Sequence, residues 1–131
     1  MTHPHTVRTY DLDHANRLIP FLEVLVGEFV DRNRAIRSLR RKLDAVLDVD
    51  GHLTEDLAER REAMELQARL STQLRERRMI TEELDKLGCT LDSRGRIVRI
   101  PGVSGVLEDG FEWTPGTRAA NPVHSKDLAA T

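Results

Sequence analysis

The chain has 131 residues, of which 39% are apolar, 32% charged and 4% aromatic, and its net charge is −2. So few aromatic residues provide little apolar area for a wide globular core, and much of the chain is expected to bury its surface along helix–helix seams. The near-neutral charge argues against a strongly basic nucleic-acid binder, and the single Cys89 excludes an internal disulfide framework. No apolar run approaches the ~18–20 residues needed to span a bilayer, and the first residues lack a basic start followed by an apolar stretch. The expectation is a soluble cytoplasmic protein with no cofactor and no membrane partner.

Residues 1–10 read as a flexible N-terminus, and the first helix has a marked start. Asp11 can accept a backbone N–H as N-cap, with Tyr10 and Ala15 placed for a hydrophobic staple. From there Ala15, Leu22, Phe29, Ile36 and Leu43 repeat at heptad spacing, and Leu18, Leu25, Leu39 and Val46 occupy the complementary seam position. Ile19, Val26 and Leu47 widen the stripe beyond one seam. That surplus predicts homodimerisation through those three residues, because one hairpin needs one stripe per helix. Pro20 removes the hydrogen bond to the carbonyl of Asn16, so the spacing also predicts a kink there, with the concave side receiving Trp113.

Asp50-Gly51 supplies the turn, and Thr54 is placed to cap a second helix that runs to about Leu87. Its seam is Ala63, Leu66, Leu70, Leu74, Ile80, Leu84 and Leu87, interrupted by Gln73 and Arg77 as Arg32 interrupts the first. Folding back about Gly51 sets Arg32 near Gln73, and Arg77 near Leu25 and Glu28. Such polar seam residues fix register at some cost in stability. Residues 11–88 therefore form a long antiparallel two-helix coiled-coil hairpin, and the fold class is mainly α. Arg34, Arg37 and Arg41 share one outward face and are the candidate binding stripe for phosphates or an acidic partner. Without interleaved aromatics for base stacking, a solvated helix face is the preferred reading.

After Leu87 the pattern changes. Gly88 is a natural C-cap. Residues 89–117 read as a small β appendage, with strands near Thr90–Leu91 and Arg96–Ile100 joined by Ser93-Arg94-Gly95. A further hairpin carries Phe111 and Trp113, expected on alternating sides, with Pro115-Gly116 as its turn. Residues 118–131 hold too little apolar content to order themselves and read as a loose tail.

The run YDLDHANRLIP, LGC around Cys89, RGRIVRIPG and the spacing of Trp113, Gly116, His124 and Asp127 resemble the bacterial family called domain of unknown function 2203, over nearly the whole chain. Ala15, Asn16 and Pro20 fall on its helical signature. The resemblance implies a two-helix hairpin with a small β appendage and no established activity. The chain departs from the family pattern at Arg99, Glu112, Thr117 and Val123, where the family has Asp, Cys, an acid and Trp.

Cys89 and His124, with Glu112 and Asp127, are the candidate metal or nucleophile–base set, since thiolate, imidazole and carboxylate are the usual ligands. No pair has the spacing of a zinc knuckle, so a buried structural Cys89 is preferred. Asn16, Pro20, Gly88 and Trp113 are read as structural. The sequence leads to a non-enzymatic interaction or scaffold module, homodimeric and binding a protein partner. The alternatives are an RNA- or ribosome-associated protein using the Arg stripe, and a small metal-dependent enzyme around Cys89 and His124.

Overall fold

The computed structural model describes residues 9–47, 56–102 and 110–123. Helix α1 spans Leu12–Val46 and α2 spans Leu57–Lys86, packed against each other as an antiparallel hairpin. Four short strands follow: β1 Thr90–Leu91, β2 Val98–Ile100, β3 Phe111–Trp113 and β4 Asn121–Pro122. They form one antiparallel meander in the order β1-β2-β3-β4.

The helix ends follow from local chemistry. Asp11 caps α1, its Oδ1 accepting from the His14 N–H at 2.8 Å. That bond, and then the His14 ring beside it, lowers the Asp11 carboxyl pKa. The Asp50-Gly51 turn and Thr54 lie outside the described residues, and the cap of α2 is Asp56, whose Oδ1 accepts from the Glu59 N–H at 3.0 Å. Asp56 takes the place expected for Thr54 because its carboxylate stands one residue before the first helical position, Leu57. At the far end Gly88 adopts φ +78°. Its N–H donates to the Asp85 carbonyl at 2.9 Å and the Cys89 N–H to the Leu84 carbonyl at 3.0 Å, the paired bonds of a Schellman cap. Leu84 and Cys89 are both buried, supplying the apolar contact that accompanies this cap. α1 is helical without a break across Pro20, whose side chain is exposed. Pro20 therefore lies on the outer face of α1, while Asn16, about one turn earlier, meets the C-terminal part by accepting the Ala120 N–H.

The chain divides into two units. The first holds residues 1–27 and 80–131. Its core draws Ala15, Leu22 and Val26 from α1, Ile80 and Leu84 from α2, and Cys89, Val98, Ile100, Trp113 and Ala120 from the C-terminal part. Cross-strand partners are Val98 with Trp113 and Ile100 with Phe111, while Arg99 stands opposite Glu112. Phe111 and Trp113 thus share a face, correcting the expected alternation, because side chains two apart on a strand point the same way. Two turns shape the sheet. Asp92 Oδ1 accepts from the Arg96 and Ile97 N–H groups at 2.6 and 2.8 Å, and Gly95 takes φ +73°. Partial desolvation would raise the Asp92 pKa, but these backbone donors outweigh it and lower it. Thr114-Pro115-Gly116-Thr117 closes by a Thr117 N–H to Thr114 carbonyl bond of 3.1 Å, with Gly116 at φ +92°. A Cβ at Gly110 would collide with the Ile100 carbonyl, so only glycine allows β3 to begin beside β2.

Residues 118–123 are not part of a loose tail. β4 pairs with β3, Ala120 is buried, and the Ala120 N–H donates to Asn16 Oδ1 at 2.9 Å. Backbone pairing and one side-chain acceptor order a segment whose apolar content is low.

The second unit, residues 28–79, includes the remainder of both helices. Phe29, Ile36 and Leu39 of α1 and Ala63 and Leu66 of α2 are buried. Register is held by a crossed pair: Arg32 Nη1 donates to Glu76 Oε2 at 2.7 Å, and Arg77 Nη1 donates to Asn33 Oδ1 at 2.8 Å. Arg32 thus bonds Glu76, one helical turn beyond Gln73, and Arg77 bonds Asn33 rather than lying at Leu25 and Glu28. The expected fold-back point at Gly51 set the register too early on α1. Arg32 Nε and Gln73 Oε1 are buried with no hydrogen-bond partner, so the seam carries a small polar cost.

Candidate interaction surface

The sequence candidates fall in different places. Cys89 is 1% exposed, and burial pushes its thiol up to about 12, so it remains protonated and non-nucleophilic at neutral pH. Alkylation of Cys89 in the native protein at pH 8 is expected to be slow and to become fast on unfolding; mass spectrometry of iodoacetamide adducts checks this. The folded thiol titrates above the unfolded one, so its contribution to stability is present below the ordinary thiol pKa and is lost as pH rises toward about 12. His124 and Asp127 lie outside the described residues. Among the described residues no three His, Cys, Asp or Glu side chains are grouped to hold a metal ion.

Glu112 is tied up differently: its Oε1 lies 3.2 Å from Arg99 Nη2 across β2 and β3. Arg99 and Glu112 therefore pair as opposite charges at one register point of the sheet. Asn16 and Glu23 both have structural roles on α1. Glu23 Oε1 accepts the Gly116 N–H at 3.2 Å, so Glu23 and Asn16, seven residues apart on α1, hold the turn and the last residue of the loop between β3 and β4. Trp113 is 1% exposed, and its Nε1 donates to the Thr117 carbonyl at 3.0 Å within that loop.

Arg34, Arg37 and Arg41 are all exposed on α1. Ile19 and Val26, expected to be the dimer surface, are buried within this chain at 8% and 2% exposure, and Leu47 is half-buried. The surplus stripe is thus partly consumed inside the first unit, where the helices meet additional apolar residues. Val26→Glu would consequently damage folding and report nothing about self-association.

Apolar surface is left open elsewhere. On α2, Leu57 is 77% and Met64 62% exposed, and with Arg60, Arg61, Glu65 and Ala68 they line a shallow groove contained in this one helix. On α1, Phe21 and Val24 are also exposed. Sequence reading passed over the α2 row because it runs out of phase with the seam, although Leu57, Arg61, Met64 and Ala68 keep helical spacing of their own.

No protein-family model, no curated protein and no solved structure matches this chain. No described helix is long and apolar enough to cross a membrane.

Proposed function

We propose that this chain is a non-enzymatic protein-interaction module that self-associates. The observation that supports this reading is the Leu57–Met64–Ala68 row, which keeps large apolar side chains in water although the helix already has an internal seam to fill. Two large side chains left open two turns apart on one face of a helix form a surface suited to a helical partner. Sedimentation equilibrium of the full chain, from roughly ten to several hundred micromolar, is the test. The expected result is a mass that rises from monomer toward dimer with concentration. A monomer across the whole range removes the self-association half of the reading.

The exposed Arg34, Arg37 and Arg41 face motivates a second reading, binding to RNA. If it held, replacing all three by Gln would flatten the slope of log affinity against log salt by roughly two to three, about one counterion per lost phosphate contact. The expected outcome is instead a triple variant that folds and behaves as the parent protein. Filter binding to RNA across a salt series decides it, and micromolar affinity near physiological salt that vanishes in the triple variant would promote the RNA reading.

A further inference from the structure

The segment that leaves β3 and ends in β4, residues 114–122, is ordered on the first unit with very little apolar anchoring. Ala120 is its only buried side chain; Pro115 is half-buried and the other seven residues are exposed. Its backbone does the holding instead. The Gly116 and Ala120 N–H groups donate to Glu23 Oε1 at 3.2 Å and Asn16 Oδ1 at 2.9 Å, and the Thr117 carbonyl accepts from Trp113 Nε1 at 3.0 Å. β4 adds a two-residue pairing, Phe111 with Pro122 and Glu112 with Asn121, to which Pro122 brings no N–H. We infer that residues 114–122 form a strap that lifts from α1 and β3 as a unit while the helices and β1–β3 stay folded, and that this strap gates access to Trp113.

The kind of contact makes the strap separable. Its bond to Glu23 is exposed, so water replaces the lost partner at little cost. One buried alanine removes little apolar surface from water. Against these contacts stands the backbone freedom that the whole segment regains on release. α1 needs neither bond to stay helical, because its backbone is bonded within the helix and Ala15, Leu22 and Val26 lie in the core of the unit. β2 and β3 differ from the strap in the same respect, since Val98, Ile100 and Trp113 are at most 1% exposed. A segment with few buried apolar side chains and surface hydrogen bonds opens at a lower free energy than the core beside it. The near end has a hinge: the Thr114–Thr117 turn contains Gly116 at φ +92°, with open space where a Cβ would stand. Lifting frees the indole N–H edge of Trp113 and the edge of β3 that β4 had paired. All of these residues belong to the first unit, so the strap does not depend on self-association.

Amide exchange of the full parent chain, followed residue by residue and corrected for intrinsic rates, decides whether the strap opens by itself. The Gly116 and Ala120 amides are expected to exchange about a hundredfold or more faster than those of Leu22 and Val26 in α1. Equal rates would mean that the strap opens only when the whole unit unfolds, and would overturn the inference. Trp113 is the only tryptophan of the chain, so acrylamide quenching of its fluorescence reports the gating. Removing both acceptors in Asn16→Ala/Glu23→Ala is expected to raise the quenching constant about twofold or more at unchanged far-UV circular dichroism. Asn16→Ala/Glu23→Gln keeps an acceptor at position 23 and should fall between that variant and the parent. Quenching at the parent value in the double-alanine variant would show that the strap does not gate Trp113. Loss of helix content in the same variant would show that Asn16 and Glu23 hold the whole unit together, which also overturns a separate strap.

Discussion

Replacing Trp113 with alanine is expected to lower the stability of the protein by about 3–5 kcal/mol, the range for removing a large aromatic side chain from a packed interior. The side chain is 1% exposed, stands opposite Val98 in the sheet, and shares the core of its unit with Leu22, Ile100 and Leu84. Its loss also leaves the Thr117 carbonyl without the indole donor at 3.0 Å. Trp113→Phe should cost less, because a ring still fills much of the site while that hydrogen bond is absent. Urea unfolding followed by far-UV circular dichroism is the suitable measurement, since the protein has one tryptophan and both variants lack it. A loss below about 1 kcal/mol for the alanine variant would mean that this ring does not hold the unit together.

Deleting residues 89–131 should have a larger effect, confined to one unit. The deletion removes Cys89, Val98, Ile100, Trp113 and Ala120 from the core, and with them the bonds from Ala120 and Gly116 to Asn16 and Glu23. At ~1.5–3 kcal/mol for each large buried side chain, even discounted for a compact unfolded chain, the loss is comparable with the ~5–15 kcal/mol net stability of an ordinary domain. Amide exchange across residues 12–27 is therefore expected to accelerate strongly. Residues 28–79 keep their own buried side chains, Phe29, Ile36, Leu39, Ala63 and Leu66, and should retain more protection. Unchanged exchange in residues 12–27 after truncation would show that the C-terminal part does not cover them.

Local features were the ones the sequence settled alone. The caps at Asp11 and Gly88, the turn ending in Gly95, the Pro115-Gly116 turn and the heptad rows of both helices each depend on residues within one or two turns of chain. Backbone donors at a helix start, and the steric freedom of glycine at positive φ, act at that range whatever the rest of the molecule does. Buried Cys89 was legible for the same reason, standing one residue past a cap whose apolar contact with Leu84 belongs to the motif.

Tertiary structure decided what depends on residues far apart. Whether Val26 faces a second chain or its own core cannot be read from a stripe, because the same periodicity serves either neighbour; packing within the first unit buries it. The helix register came from which side chains reach each other, Arg32 to Glu76 and Arg77 to Asn33, and heptad spacing alone allows a slip of a turn. β4 forms on backbone pairing and on Asn16, a residue about a hundred positions earlier in the chain, so its low apolar content was no guide. The Leu57–Met64–Ala68 row was present in the sequence at helical spacing. Only the folded hairpin, by placing the seam on another face of α2, shows that this row stays open to water.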